Sequence, residues 1–293
     1  YIYWRNYKME STNKIEISKN KIKNKTTLDQ IVKVAFTFIA MICASVIIVI
    51  VAFIFIEGLK PFFTNYEING INYRPSFFPF VFGLSWEASP YQYGIGFIII
   101  NTLYVTLCSL LIAVPISVLT ALFIVRIAPK FLSKTLNYVI ELLASIPSII
   151  YGIFGAGVIT NIVKNLANLF NYQSAGGVST LATILVLAMM IIPTITLISI
   201  TSIKTVKEDY IKGSLALGAS PTQTNFKVVL TSAKSGIFSG IILGVGRALG
   251  EATAVTMVAG NATSGPTFNL FDITRTLTST MLANIKETSG LSY

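Results

Sequence analysis

Two charged residues four apart, Arg247 and Glu251, interrupt an otherwise apolar run, Gly236–Ala259. An arginine side chain presents five N–H donors in a planar fork that matches a carboxylate or a tetrahedral oxyanion, and a carboxylate only accepts. A charge at the centre of a lipid bilayer costs about 2.5–3.5 kcal/mol on insertion scales. An intrahelical pair with Arg preceding Glu returns less than about 0.5 kcal/mol, so self-neutralisation does not account for the two charges. Recognition of an anion in transit does: Arg247 offers the fork, and Glu251 holds it in place and moderates its affinity.

The element that must position them is a helix. At 100° per residue, Gly236, Gly240, Gly244, Arg247 and Glu251 fall within roughly 80° of one another. Phe238, Val245, Leu249 and Thr256 lie on the opposite side. Glycines at four-residue spacing make a helix-packing surface. Both charges are therefore expected to face protein and not lipid.

Little else in the chain could do chemistry. There is no histidine, which removes most general-base, metal-ligand and phosphorelay roles. Cys43 and Cys108 sit inside apolar runs, as small buried hydrophobes do, and not as a disulfide or zinc site. No glycine-rich loop of the form that cradles nucleotide phosphates is present, so ATP is not expected to bind this chain through a P-loop. An enzyme is the weakest reading, because no nucleophile–base set stands out.

The composition places the chain in a membrane. Of 293 residues, 53% are hydrophobic and 12% charged, with a mean hydropathy of +0.71. Soluble domains carry about twice that charged fraction. A bilayer crossing needs about 20 apolar residues, and five stretches qualify: Ile31–Ile56, Ile95–Val125, Leu136–Ile159, Val178–Thr201 and Gly236–Ala259. The first is too long for a signal core and lacks a small-residue cleavage site, so it is expected to remain as an anchor. Pro115, Pro147 and Pro193 fall inside spans and are expected to bend them.

The net charge of +10 does not point to nucleic acid, because the basic residues are confined to the segments between spans and no basic–aromatic cluster is visible. Lys and Arg concentrate in the segment 1–30, in the loop holding Arg126, Lys130 and Lys134, and in the segment 202–235. The alternating segments are poor in them. The N-terminus is thus expected to be cytoplasmic, and residues after about Asn261 external. Met9 is a candidate start, and the chain stops at Tyr293 after a short amphipathic stretch, Asp272–Glu287. A sixth span returning to the cytoplasm is expected and is not in this sequence.

The long inner segment has its own organisation. Glu208–Leu217 is a candidate short helix, with Gly218 placed to end it in left-handed geometry. Ser220-Pro221-Thr222-Gln223 has the residues of a capping box with proline at the first helical position, opening a second helix expected to run through Leu230. Leu215, Leu217 and Ala219 leave apolar surface at the bend for a partner. A DNA-binding helix-turn-helix is the competing reading, but both ends are tethered to spans, which prevents groove docking.

This bend resembles the coupling segment of ABC-importer permeases. Their pattern is E-A-A, three residues, Gly, nine residues, I-x-L-P. Here Gly218 matches and Val228-Val229-Leu230-Thr231 follows at the right spacing, while Lys212-Gly213-Ser214 stands in place of E-A-A and Thr231 in place of proline. Arg247-Ala248-Leu249-Gly250-Glu251, Ala254-Val255 and Gly260-Asn261 resemble the R-A-L-G-E-T…A-V…G-N run of phosphate-import permeases, with Ala252 for the usual Thr. Leu142–Gly152 (LLASIPSIIYG) is similar to a second run of that family. Phe82-Gly83-Leu84-Ser85-Trp86 with Tyr93-Gly94 resembles the outer loop of its PstC-type subunit, Asn101-Thr102 stands for a Gly-Thr, and Thr274–Glu287 is similar to the stretch before the family's last span. The likeness covers most of the chain from about residue 30.

The resemblance implies an all-α polytopic helical bundle of the importer-permease type, with five of six core spans in this sequence and the permease domain over residues 31–293. It implies a PstC-like phosphate permease that pairs with a PstA-like permease, two PstB-like ATPases carrying the ATP and Mg, and an external phosphate-binding protein. Leu217, Gly218, Ala219 and Ser220 would sit in an ATPase cleft. Arg247 and Glu251 would lie on the route of inorganic phosphate, with no cofactor held by this chain. Alternatives are a permease for another oxyanion (sulfate, molybdate or phosphonate) and a non-transporting membrane scaffold or sensor.

Overall fold

The computed structural model describes the backbone of residues 2–68, 71–87 and 92–287 and the side chains of residues 29–65, 74–87 and 93–283. The basic side chains from Arg5 to Lys25, together with Lys286, lie outside the described residues. The chain divides into two units, Tyr1–Arg74 and Pro75–Tyr293.

The first unit is one long helix, α1 (Ile2–Phe63), followed by a hairpin of β1 (Tyr66–Ile68) and β2 (Ile71–Tyr73). Over Asp29–Phe63 the helix is long and apolar enough to cross a membrane, and Asp29–Gly58 are all exposed. A helix apolar on every side belongs in lipid, where its backbone bonds are satisfied internally. Arg74 closes the unit by donating from Nε to the Phe62 carbonyl at 2.6 Å.

The second unit opens on α2 (Phe77–Phe82) and the hairpin β3 (Trp86–Glu87)–β4 (Gln92–Tyr93). Gly83 and Gly94 touch there: a Cβ on Gly83 would fall 2.7 Å from the Gly94 Cα. The glycines of the Phe82-Gly83…Tyr93-Gly94 motif are therefore required by contact. A bundle follows. Its first span is α3 (Gly96–Leu122), extended by a π-helical turn over Phe123–Ile127. Next come the amphipathic α4 (Lys130–Ser145) and a span made of α5 (Ser148–Phe154), a π turn (Gly155–Ile159) and α6 (Thr160–Leu169). The central span is α7 (Thr180–Lys204), 61% buried in its most apolar window.

Beyond α7 come α8 (Glu208–Ala216), α9 (Pro221–Gln223), a π turn over Thr224–Val229, α10 (Leu230–Gly250), α11 (Thr253–Val258) and α12 (Leu277–Glu287). The described residues thus form five helices long and apolar enough to cross a bilayer, with only two short hairpins of strand. The expected all-α membrane bundle is the fold found.

Two apolar clusters are strung along α7. One joins Val105, Tyr151, Val186, Ile191, Ile195 and Val258. The other, at the α8 end, joins Ile124, Ile140, Ile203, Ile211, Val229 and Ile237. The glycine stripe lies against α7 as the spacing implied: a Cβ at Gly244 would meet Ile195 Cδ1 at 2.8 Å, one at Gly240 Ile198 Cβ at 3.1 Å, and one at Gly236 the Ser202 side chain. Gly244→Val is expected to force α10 off α7 and to cost about 1–3 kcal/mol. Gly246→Ala, where a Cβ meets nothing within 4 Å, is expected to be neutral or to stabilise by up to about 1 kcal/mol. Thermal denaturation of the purified protein in detergent checks both, and equal melting temperatures for the two variants would refute the packing account.

Two expected spans are corrected. Leu136–Ile159 is not one helix: α4 ends at Ser145, Ile146 and Pro147 are extended (ψ 127° and 140°), and the membrane-length helix starts at Ser148. The residue before a proline is pushed out of the helical region, so Pro147 separates two helices where a bend was expected. Pro115 and Pro193 do stay inside helices. Likewise the helix expected through Leu230 does not stop there. It continues to Gly250, so Pro221–Gly250 is one 30-residue run, and the expected span Gly236–Ala259 breaks at Glu251.

Candidate functional site

Glu251 leaves the helix with φ −75° and ψ 118°, and α11 restarts two residues later. Its carboxylate repairs the interruption, since Oε1 accepts from the Ala254 N–H at 3.0 Å and from the Thr253 hydroxyl at 2.8 Å. These bonds cap the first turn of α11. The Glu251 carbonyl in turn accepts from Thr278 Oγ1 at 2.7 Å. Glu251 is 9% exposed, and each bond it makes replaces hydration lost on burial.

The break at Glu251 faces the break at Pro147. Ser148 Oγ and Thr253 Oγ1 are 3.1 Å apart, and Gly152 lies against α11, where a Cβ would fall 2.9 Å from the Ala254 Cα. Two interrupted helices thus meet through a polar chain, Ser148–Thr253–Glu251, inside an apolar bundle. Irregular backbone at membrane depth is tolerated where protein or a cavity surrounds it, and discontinuous helices are how many transporters build substrate sites.

Arg247 sits one turn before the break, half-buried, and donates from Nη1 to Thr194 Oγ1 at 2.7 Å. Thr194 follows Pro193 on α7, so the guanidinium points at the central helix, as the helical spacing implied. The Tyr151 hydroxyl, which donates to the Leu143 carbonyl at 2.8 Å, lies within electrostatic range of it. The expected support of Arg247 by Glu251 is not formed. The described ion pairs are Glu57–Lys60 and Glu208–Lys212; with the helix ended at Gly250, Glu251 no longer follows Arg247 on the same face. Among the described residues Arg247 makes this one hydrogen bond, which leaves most of its N–H donors unengaged there. Its single tether fixes the side chain without filling the fork.

A family model, binding-protein-dependent transport system inner membrane component, matches residues 113–285, which hold both breaks and the α8–α9 bend. The chain belongs to that family. This permease is 34% identical over 252 residues to the probable ABC transporter permease protein YqgH of Bacillus subtilis, covering 85% of this chain and 76% of that protein. It is 35% identical over 228 residues to the phosphate transport system permease protein PstC of Pasteurella multocida, covering 73% of this chain and 71% of that one. A probable PstC of Methanocaldococcus jannaschii is 30% identical over 209 residues, 68% of this chain and 65% of its own length. The PstC-like resemblance read from the motifs matches the names of the Pasteurella and Methanocaldococcus relatives.

In the permease the second group of expected site residues forms a separate feature. Leu217 is 90% exposed. Gly218 has φ +84°, a left-handed conformation that glycine adopts without strain. Its N–H donates to the Leu215 carbonyl at 3.0 Å, and the half-buried Ala219 donates to Ser214 at 3.2 Å. Ser220 forms the full capping box: its hydroxyl accepts from the Gln223 N–H at 3.2 Å, and the Gln223 side chain accepts from the Ser220 N–H at 3.1 Å. The bend and Arg247 sit toward opposite ends of the Pro221–Gly250 run.

Sequence reasoning missed Ser148, Thr253 and Thr194. Ser148 follows Pro147, a signal read only as a bend, and Thr253 lies inside a run read as one continuous span. Thr194 carries no local signal, because its role depends on α10 packing beside α7. At the other end of α7, Tyr172 donates to the Asp272 carboxylate, which also accepts from Thr267 Oγ1 at 3.0 Å. The bond to Asp272 raises the Tyr172 pKa above its ordinary value, with burial adding to it. The Phe82–Trp86 segment joins the same end, the Trp86 N–H donating to the Thr263 carbonyl at 2.7 Å.

Proposed function

We propose that this ABC-transporter permease carries inorganic phosphate into the cell as the PstC-like member of an importer. The observation that carries the reading is Arg247, a guanidinium held among the described residues by a single bond to Thr194 beside two interrupted helices, which leaves the rest of its fork to engage a tetrahedral oxyanion. Glu251 belongs to the same route in a different way from a counter-charge. By capping α11 it keeps the interruption open beside Arg247. The naming of several relatives as PstC supports phosphate as the anion.

On this reading a PstA-like permease completes the pathway, two PstB-like ATPases bind ATP and Mg, and an external phosphate-binding protein delivers the anion. Leu217, Gly218, Ala219 and Ser220 dock in a cleft of one ATPase. The concentration of Lys and Arg in residues 1–30, around Arg126–Lys134 and in residues 202–235 supports a cytoplasmic side for the N-terminus and the α8–α9 bend, in a bacterial plasma membrane.

The test is uptake of labelled phosphate by the complete complex reconstituted in vesicles, with its binding protein outside and ATP inside. Unlabelled phosphate is expected to suppress uptake at least about tenfold more than an equal excess of sulfate, molybdate or methylphosphonate, a margin of roughly 1.4 kcal/mol in discrimination. A different anion competing best would move the assignment to that oxyanion. Absence of ATP-dependent uptake and of any copurifying ATPase would favour a scaffold.

A further inference from the structure

A second arginine in the bundle is largely withdrawn from solvent. Arg275 is 7% exposed, yet among the described residues its side chain makes no hydrogen bond, ion pair or ring contact, and its Nε is enclosed. Burial pushes its pKa below the ordinary arginine value, the direction for a cation that has lost hydration without gaining a counter-charge.

Its surroundings are polar in the same incomplete way. The Thr274 N–H donates to the Ala259 carbonyl at 2.8 Å, and the Thr274 carbonyl accepts from the Ala262 N–H at 3.3 Å. On the other side the Leu277 N–H donates to Thr102 Oγ1 at 3.1 Å. The start of α3, the segment after α11 and the start of α12 therefore converge at residue 275. Each brings a buried polar atom without a partner: Asn101 Nδ2 from α3, Asn261 Oδ1 after α11, and Thr274 Oγ1 before α12. The first turn of α12 is not the receptor, since Thr276 and Ser279 cap one another (3.0 and 3.3 Å). Within that same turn Thr278 donates to the Glu251 carbonyl, so this cluster adjoins the α10–α11 break.

A buried cation and the unpaired Asn101 and Thr274 donors together are unfavourable unless a ligand accepts from them; Asn261 Oδ1, an acceptor, can engage only a proton carried by that ligand. We propose that Arg275 is a second oxyanion station beside the α10–α11 break, a stop separate from Arg247 for the same tetrahedral anion, with the Asn101 amide and the Thr274 hydroxyl as further donors. The proposal rests on the oxyanion-importer reading. The rival occupant is a carboxylate of a neighbouring subunit.

The experiment compares the assembled wild-type complex with Arg275→Met, Arg275→Lys and Arg247→Ala complexes, reading thermal stability with and without inorganic phosphate and uptake of labelled phosphate. Removing a buried unpaired charge is expected to raise the midpoint of Arg275→Met in anion-free buffer by about 2–4 °C, while its uptake falls at least about tenfold. Phosphate is expected to raise the midpoint of the wild type and of Arg247→Ala, and not of Arg275→Met, with Arg275→Lys showing a reduced shift. A lower anion-free midpoint, or failure of Arg275→Met to assemble, would identify a structural cation paired with a subunit carboxylate and overturn the proposal. So would a wild-type phosphate shift in Arg275→Met. Failure of the importer reading shows separately, as absent oxyanion uptake by the wild-type complex.

Discussion

Arg247→Ala is expected to lower labelled-phosphate uptake per assembled complex by about 100-fold while leaving the complex assembled. Charge-assisted hydrogen bonds contribute about 1.5–3 kcal/mol each, and every 1.4 kcal/mol is a factor of ten. Loss of a two-pronged contact to the passing anion therefore accounts for two decades or more. The cost to the fold is far smaller, because the described structure gives Arg247 one bond, to the half-buried Thr194, and a single such bond is worth about 1 kcal/mol. Arg247→Lys keeps the charge and loses the fork, with an expected loss of about tenfold. Since Arg247 and Glu251 are not paired, their effects should multiply. Arg247→Ala with Glu251→Gln is expected to show the product of the single losses, whereas directly interacting groups depart from additivity by 0.5 kcal/mol or more. Normal uptake by assembled Arg247→Ala complexes would make this side chain a structural one.

The difference between a paired and an unpaired Arg247 shows what the sequence could tell. The glycine stripe gave the direction of Arg247 correctly, because Gly236, Gly240 and Gly244 can only be read as a close-packing face, and α7 is where they pack. The capping box at Ser220 and the left-handed Gly218 were legible because both are local: the residue types and their spacing determine the bonds. The breaks were not. Hydropathy averages over a window, and neither Leu142–Gly152 nor Arg247–Met257 becomes polar enough to register as an end. What stabilises the break after α10 is a carboxylate reaching forward to accept from the Ala254 N–H and the Thr253 hydroxyl at the start of α11, with Ser148 from another helix completing the chain. Such an arrangement is stable only once α5 and α11 are packed together. The same holds for Arg275, whose isolation in the sequence gave no hint that it is buried.

Leu217→Asp is expected to separate the ATPases from the membrane subunits while leaving those subunits folded. Leu217 is 90% exposed, so the substitution removes no internal packing and costs the isolated permease no more than about 0.5 kcal/mol. On the proposed docking the same side chain would be an apolar anchor at the tip of a helix–Gly–helix bend, and replacing it by a charge that must be desolvated is expected to cost at least about 2 kcal/mol of binding, or roughly 30-fold in affinity. The rest of the bend is tied into the bundle. Ile211 of α8 and Val229 of the π turn are buried in the same apolar cluster as Ile203 and Ile237, and Ser214 Oγ lies 2.9 Å from Thr224 Oγ1. From Pro221 the chain runs without a gap to Gly250, about 45 Å at 1.5 Å per residue, with Arg247 in its last turn. On the proposed coupling, a push at Leu217 would cross the Gly218–Ser220 bend and then reach the guanidinium along one helix. Copurification of ATPase with tagged permease should drop by at least tenfold in Leu217→Asp, ATP-driven uptake should fall with it, and recovery of the second permease should not change. Full ATPase recovery with the charged variant would place the docking surface elsewhere and leave the exposed bend without a coupling role.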